Sequence, residues 1–342
     1  MDTAAIDVFC HVLPPAYCEA VRGACAKVPF MLDRAASIPT MVDLEARFKL
    51  MDRFPGYRQI ISLGSPPVES LGHAARVARL AKIANDTMAE WVAKHPDRFA
   101  GFVASLPWCD AGESAQEAER ACAQLGALGA QIFSSINSHP IDSPETIALV
   151  ERIHHMKRAI WLHPVRPMAR PDYPVESVSM FDSWWAFGWP YETSLAMARL
   201  VFAGVFDRHP DLVVVTHHAG GIVPMLEGRL AAGLDQLGSR TPPGLEAATA
   251  TKLRERPVDA FRRFHADTAS FGSKLTIACG IEFFGPSRMM FASDLPFGPE
   301  QGGAILRETL AAVNDLDISS DTRRAILREN AERVFRLKSA LA

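Results

Sequence analysis

Histidine and aspartate side chains stand at the ends of several apolar runs in this sequence. His11 follows IDVFC, His163 ends AIWLH, His217 and His218 end LVVVTHH, and Asp294 follows RMMFAS. Imidazole and carboxylate groups bind Zn²⁺ and similar divalent ions, and they also transfer protons in catalysis. Any one of these residues alone is better explained as a hydrogen-bonded core residue. Four runs that each end in His or Asp predict a shared metal and proton-transfer site.

The apolar runs have the length of β-strands, and amphipathic segments separate them. They lie at residues 5–10, 58–63, 98–106, 129–134, 159–163, 212–217, 264–268 and 288–293. Between them, apolar residues recur at spacings of three and four, which predicts helices. Strands that alternate with helices pair in parallel, so eight such units predict a (β/α)8 barrel of the TIM type, closed by a helix over 319–337. A doubly wound sheet is the alternative, but no GxGxxG follows any strand.

The carboxyl ends of barrel strands open into one mouth, where barrel enzymes keep their active sites. Two long segments are predicted at this mouth, residues 12–40 after strand 1 and residues 164–192 after strand 5. The second is rich in aromatic residues: Phe181, Trp184, Trp185, Phe187 and Trp189. Long loops are often functional, although an aromatic plug or a subunit interface would have the same composition. Residues 1–342 are predicted to form a single barrel domain.

Composition argues against several classes of partner. The chain has 342 residues, of which 48% are hydrophobic and 22% charged, and its net charge is −3. These values are ordinary for a globular protein and give no electrostatic case for nucleic acid or an anionic membrane. No apolar run is as long as a membrane span and no basic leader opens the sequence, so we expect a cytoplasmic protein. The six scattered cysteines indicate reduced thiols rather than disulfides or a thiolate zinc site.

Several segments together resemble the amidohydrolase superfamily, in the branch that contains α-amino-β-carboxymuconate-ε-semialdehyde decarboxylase and γ-resorcylate decarboxylase. They are IDVFCHVLP, HPDRFAGFVASLP, LGALGAQIFSSIN, IWLHP, VVVTHHAGGIVPMLEGRL, FHADT, RMMFASDLPFG and ENAERVF. The resemblance runs nearly from end to end. It implies a barrel with a divalent metal, zinc in the first place and manganese as the alternative, and a homodimeric assembly.

The resemblance also implies roles for individual residues. His11, His163 and Asp294 match metal ligands, and Asp294 can join in proton transfer. His218 matches the histidine that acts on the substrate as acid, base or electrostatic stabiliser. His217 is expected to face away from the mouth, because side chains alternate along a strand.

Three further residues are candidates for substrate binding. Arg229 matches an arginine that reaches the substrate carboxylate in a neighbouring subunit, and Phe297 matches an aromatic residue that packs against the substrate ring. Trp189 belongs to the aromatic loop at the mouth. A solvated helix arginine and ordinary core packing are the simpler explanations for Arg229 and Phe297.

Phe9 departs from the family pattern, because this position usually carries His or Glu and phenylalanine cannot bind a metal. Three interpretations stay open. The remaining three ligands could hold a metal with lower affinity, since catalytic zinc commonly has three protein ligands. The site could be metal-free, as in some lactonases of the superfamily, or the protein could be inactive. Asp7 lies one layer deeper and resembles a position that is not a ligand, whereas Phe9 offers an apolar surface to a substrate ring.

These features predict an enzyme that acts on a small carboxylate. The leading hypothesis is a carboxy-lyase that releases CO₂ from an aromatic or unsaturated hydroxy or oxo acid, with metal assistance. A hydrolase of a lactone or related carbonyl compound, metal-free in one version, could use the same residues. A barrel that binds a ligand without catalysis is the third hypothesis.

Overall fold

The computed structural model describes residues 2–251 and 253–337, and in this part of the chain the strands are short and parallel. The strands are β1 (Ile6–Val12), β2 (Arg58–Leu63), β3 (Phe99–Phe102), β4 (Ala104–Ser105), β5 (Gly129–Phe133), β6 (Ala159–His163), β7 (Val214–Thr216), β8 (His265–Asp267) and β9 (Met289–Met290). One sheet has the order β1-β2-β3 and the other runs from β4 to β9. Every neighbouring pair is parallel.

Backbone hydrogen bonds join the two sheets at both edges. The Val8 amide of β1 donates to the Phe291 carbonyl, which directly follows β9, at 2.9 Å. At the other edge, the Val103 amide, between β3 and β4, donates to the Ile61 carbonyl of β2 at 2.9 Å. β3 and β4 are thus one barrel strand interrupted by a single residue. The predicted (β/α)8 barrel is confirmed, with long segments after its first and fifth strands.

Helices cover the outside of the barrel, mostly where three- and four-residue spacing predicts them. Their bounds are α1 (Pro15–Ala24), α2 (Phe30–Ala36), α3 (Pro39–Val42), α4 (Leu44–Met51), α5 (Ala74–Lys94), α6 (Ala111–Glu119), α7 (Pro144–His155), α8 (Ser183–Ala186), α9 (Gly188–Phe202), α10 (Val205–Arg208), α11 (Pro257–Phe261), α12 (Lys274–Phe284), α13 (Gly303–Asn314), α14 (Ser320–Arg324) and α15 (Asn330–Phe335). α9 and α10 are separate helices because Gly204 between them takes a φ of 72°. In the described ranges, no helix is long and apolar enough to cross a lipid bilayer.

The barrel interior is a compact apolar core below the mouth. Trp161 of β6 is fully buried there, and its indole Nε1 donates to the Val8 carbonyl at 2.9 Å. Phe335 of α15 stacks on the Trp161 ring, with centroids 4.7 Å apart. The predicted C-terminal closing helix therefore packs against the end of the barrel opposite the mouth.

Candidate active site

Three histidines and one aspartate meet at the mouth of the barrel. His11 lies near the end of β1, His163 ends β6, His217 follows β7 and Asp294 follows β9, and all four are buried. Asp294 Oδ1 lies 3.2 Å from His11 Nε2 and 3.4 Å from His217 Nε2. Ring nitrogens of the three histidines lie within 4.8 Å of one another. Strands that are distant in sequence thus bring the predicted ligands together.

Each of the three histidine rings is held through its Nδ1 atom. The contacts are with the Pro164 carbonyl for His163 (2.7 Å), the Asp267 carboxylate for His217 (2.5 Å) and the Ser62 hydroxyl for His11 (3.2 Å). Metal-binding histidines are commonly oriented in this way, by a carboxylate, carbonyl or water on the second ring nitrogen. The contacts leave Nε2 of each ring free for the centre of the cluster.

The spacing of these groups fits a divalent metal ion. The Nε2 atoms of His11 and His217 are buried and have no hydrogen-bond partner, although both lie close to Asp294. Ligands about 2.0–2.1 Å from one ion lie roughly 3.0–3.4 Å apart in octahedral or tetrahedral geometry. The observed separations of 3.2 and 3.4 Å fall in this range. Imidazole nitrogens and a carboxylate oxygen are ligands suited to zinc and manganese alike.

The electrostatics of the cluster also suit a cation. Burial alone would raise the pKa of Asp294, but polar contacts with the neighbouring imidazoles outweigh it and hold this pKa well below its usual range. Burial and the neighbouring imidazoles lower the pKa of His163, so its ring is neutral. Burial opposes charge on His217 as well, but Asp267 outweighs it and raises the pKa of His217 to about 9. A bound metal ion would replace the proton on His217, because a ligand must give up its proton.

The expectation that His217 faces away from the mouth is wrong. β7 ends at Thr216, and His218 takes a left-handed backbone conformation with a φ of 55°. His217 itself is still extended, with φ −83° and ψ 160°, and it faces the barrel interior as Val215 does, whereas His218 departs from strand alternation. The rings of His217 and His218 lie side by side with centroids 3.7 Å apart. His218 Nε2 lies 3.6 Å from Asp294 Oδ2, and its side chain is 13% exposed against 0% for His217. His218 is therefore placed to meet a substrate, and His217 to meet a metal.

Phe9 lies within the cluster rather than on its surface. It is completely buried, and its ring stacks on that of His217 with centroids 3.9 Å apart and an interplanar angle of 22°. The sequence had suggested that Phe9 contacts the substrate ring. Because His217 covers the Phe9 ring, Phe9 is not placed to make that contact. Its position orients His217 towards Asp294.

Two predicted aromatic residues form walls of the mouth. The half-buried Phe297 has its ring centroid 5.8 Å from that of His11. Trp189, in the first turn of α9, has its centroid 5.6 Å from His163 and 6.3 Å from His218. The long aromatic segment thus folds back onto the cluster, and its outer residues remain at the surface.

Arg229 is not brought to the site within one subunit. It is exposed and opens a π-helical turn, Arg229–Gly233. Large apolar side chains are exposed just before Arg229, on the aromatic loop and on α12: Met225, Leu226, Phe181, Phe187 and Leu275.

A family model for amidohydrolases matches residues 6–337 of the chain. This protein belongs to the amidohydrolase family. The γ-resorcylate decarboxylase of Rhodococcus jostii (strain RHA1) is 30% identical over 308 residues, which cover 86% of this chain and 87% of that protein. Family membership confirms the resemblance identified in the sequence.

Two solved structures with the amidohydrolase fold are similar to this chain over nearly its whole length. The 5-carboxyvanillate decarboxylase of Sphingomonas paucimobilis has a TM-score of 0.82 and 26% identity, covering 98% of this chain and 100% of that one. The dihydroxybenzoic acid decarboxylase of Polaromonas sp. JS666, with bound manganese and the inhibitor 2-nitroresorcinol, has a TM-score of 0.78 and 25% identity, covering 99% and 98%. The manganese in this neighbour supports a divalent metal as the cofactor of such a site.

Sequence reasoning assigned no role to Asp267, although the structure makes it the partner of His217. It ends β8, and its carboxylate also accepts the amides of Ala219 and Ala269, at 3.1 and 3.0 Å. A signal was present, because the run FHADT carries an acidic residue, Asp267, one position before its end, where neighbouring runs carry His or Asp at or just beyond theirs.

Proposed function

We propose that this amidohydrolase is a carboxy-lyase that releases CO₂ from an aromatic or unsaturated acid with a hydroxyl or carbonyl group beside the carboxylate. The convergence of His11, His163, His217, His218 and Asp294 at the barrel mouth carries the proposal. Its second support is that three of the matched proteins are named as decarboxylases of aromatic acids: γ-resorcylate, 5-carboxyvanillate and dihydroxybenzoic acid. A hydrolase of lactones would use the same groups, so the product of the reaction separates the two.

A divalent metal would be held by His11, His163, His217 and Asp294. We propose zinc or manganese, since both accept imidazole and carboxylate ligands. When bound, the metal supplies Lewis-acid stabilisation of negative charge and a template for the oxygens of the substrate. With His217 the cluster offers four ligand side chains, so Phe9 does not reduce the site to three.

His218 and Asp294 would take part in transferring the proton that replaces the carboxylate on the substrate carbon. The two groups lie 3.6 Å apart, close enough to exchange a proton once a substrate draws them together. His218, protonated from solvent, would deliver the proton to the carbon that bears the carboxylate. The bond from that carbon to the carboxylate then breaks, and its electron pair restores the ring or double bond as CO₂ leaves. Trp189 and Phe297 would hold a planar ring and exclude water.

Product analysis tests the proposed reaction. Protein prepared with zinc or manganese is expected to release one CO₂ per molecule of acid consumed from at least one of γ-resorcylate, 6-methylsalicylate and 5-carboxyvanillate. The phenolic product and CO₂ are measured together, and heat-denatured protein is the control. Ring opening of a lactone without CO₂ would identify a hydrolase, and binding without any turnover would identify a non-catalytic barrel.

We further propose that the protein is a homodimer in which Arg229 serves the site of the neighbouring subunit. Exposed Met225 and Leu226 precede Arg229, and an interface there would cover apolar surface. Arg229 is exposed, so its guanidinium is accessible to a carboxylate ligand.

Subunit complementation tests this arrangement. Arg229→Ala and His218→Ala are each expected to be nearly inactive as homodimers, whereas a mixture exchanged under mild denaturant regains part of the activity. Recovery occurs because one site of each mixed dimer then has an intact His218 and an intact Arg229. Mixing His218→Ala with Asp294→Asn, two changes on the same side of the site, is the control. A monomer in light scattering, or no recovery, would contradict the proposal.

A further inference from the structure

A narrow cavity opens beside the histidine cluster, between the segments that follow β2 and β4 and the strand β5. Phe133 of β5 lines it, and its ring centroid lies 5.0 Å from that of His163. Gly64, just beyond β2, also lines it, and a Cβ at this position would lie 3.6 Å from Cβ of His11. Phe133 and Gly64 thus lie between the cavity and two of the candidate metal ligands, and the cavity volume of about 10 Å³ has room for one hydroxyl-sized group.

Two polar side chains with unpartnered atoms line this cavity. Glu69, in a short 3-10 turn after β2, is 2% exposed, and Gln131 of β5 is 3% exposed. Neither Glu69 Oε1 nor Gln131 Oε1 has a hydrogen-bond partner. The Gln131 amide donates from Nε2 to the Leu63 carbonyl at 3.1 Å, which leaves its oxygen as the free atom. Buried polar atoms are normally paired, so two unpaired atoms in one cavity next to a candidate active site point to a ligand.

The charge of the cavity defines what that ligand can be. Burial raises the pKa of Glu69 to about 8, so its carboxyl group is neutral at neutral pH and can donate as well as accept a hydrogen bond. Of the side chains that line the cavity in the described part of the chain, none is cationic. A carboxylate or phosphate would find no counter-charge here, and an apolar group would leave both oxygens desolvated. A hydroxyl group can donate to Gln131 Oε1 and form a second hydrogen bond with Glu69.

We propose that Glu69 and Gln131 form a specificity subsite that binds an uncharged hydroxyl substituent of the substrate ring. The inference rests on the proposed function for the identity of the ligand as an aromatic acid, but the subsite can be tested by binding alone. Apolar walls, including Phe133, would exclude water from the hydroxyl. A ligand without the hydroxyl would therefore leave Glu69 and Gln131 unpaired and bind more weakly. A site built to bond a hydroxyl rejects analogues that lack it far more strongly than an apolar pocket rejects an extra group.

The test compares pairs of ligands that differ by one ring hydroxyl. Calorimetry measures the Kd of salicylate and of its 3-, 4-, 5- and 6-hydroxy derivatives for the metal-loaded protein. The wild type is expected to prefer at least one dihydroxybenzoate over salicylate by roughly ten- to a hundredfold. Glu69→Leu and Gln131→Leu should each reduce that preference to a few-fold, and Glu69→Gln should retain most of it, because an amide still offers a donor and an acceptor. Affinity for salicylate itself should change little.

A control separates the subsite from a general effect of removing a buried polar atom. Thr309→Val removes the buried, unpartnered hydroxyl of Thr309 on α13, outside the mouth, and should leave every Kd unchanged. Glu69→Leu should also unfold at an unchanged or higher temperature, because it removes a desolvated group. A structural role for Glu69 would instead lower the unfolding temperature and weaken all ligands equally, which would overturn the subsite.

The outcomes also distinguish this inference from the proposed reaction. Hydroxyl-dependent binding that is lost in both leucine variants, without CO₂ release, would sustain the subsite and contradict the carboxy-lyase. CO₂ release with the same dihydroxybenzoate preference in wild type and both leucine variants would sustain the reaction and contradict the subsite. If a crystal structure with the preferred ligand holds only an internal water between Glu69 and Gln131, the subsite is likewise refuted.

Discussion

Replacing His217 with alanine should weaken metal binding by more than about a hundredfold. Loss of an outer partner of a metal ligand alone costs roughly 10–100-fold in affinity, and His217 offers its own Nε2, 3.4 Å from Asp294 Oδ1, to the centre of the cluster. Metal content per chain after dialysis, and the Kd from competition with a chromogenic chelator, measure the effect without any activity assay. Asp267→Asn, which weakens only the orienting contact on His217 Nδ1, should lie between wild type and His217→Ala.

His217 offers the metal ligand that phenylalanine at position 9 cannot supply. A double variant can therefore test whether a ligand at position 9 replaces the one lost from position 217. Phe9 stacks on His217 at 3.9 Å, so removing the imidazole opens space next to residue 9. The double variant Phe9→His, His217→Ala should regain much of the metal affinity that the single variant loses, because it returns a ligand to the first strand. Recovery in the double variant would show that the two positions are alternatives for one coordination place.

Two control variants separate the loss of a metal ligand from misfolding of the protein. His217→Gln keeps a donor for the buried Asp267 carboxylate and should fold even if alanine leaves that charge too poorly compensated. His265→Ala removes a buried histidine of β8 outside the cluster and should retain full metal content. Stoichiometric metal with unchanged Kd in both His217 variants would mean that His11, His163 and Asp294 bind the metal without it.

The strand pattern was readable from the sequence because barrel strands are apolar on both sides. The run at 58–63 coincides with β2 and the run at 159–163 with β6, while the run at 98–106 forms two pieces around Val103. Buried parallel strands give continuous apolar runs, so their ends, and the polar residues placed there, can be located without an alignment. This is why His11, His163 and Asp294 could be assigned to one mouth.

The direction of the side chains beyond a strand end was not readable in the same way. His217 was misplaced because the alternation was counted back from His218, which lies in a turn with positive φ at His218 and Ala219. Counted from the inward-facing Val215, the alternation places the still extended His217 on the inner side. Glu69 was missed for a related reason, since it lies on an irregular turn whose path depends on packing. Strand ends are predictable from local sequence, but turns that aim functional groups depend on contacts distant in sequence.

Replacing His218 with alanine should abolish CO₂ release while leaving the metal in place. Positioned acid–base groups contribute typically 10²–10⁴-fold to rate, and a loss of kcat of about this size is expected. His218 lies outside the buried triad of His11, His163 and His217 and is the most exposed of the clustered side chains around Asp294. Metal content and the Kd for a non-reacting nitro analogue should change by only a few-fold. His218→Asn, which can donate a hydrogen bond but cannot transfer a proton, should be nearly as inactive.

Asp294 can be separated from His218 by comparing what each variant loses. The pKa of Asp294 is held well below its usual range, so its carboxylate is ionised and is a poor acid unless a substrate changes its surroundings. Asp294→Asn should therefore lose metal and activity together, whereas His218→Ala loses activity alone. Exchange of the ring hydrogen of the phenolic product with D₂O, followed by NMR, reports the proton transfer directly and should stop in both. If His218→Ala still exchanges that hydrogen at the wild-type rate, the proton reaches the ring by another group, and Asp294 is the nearest one available.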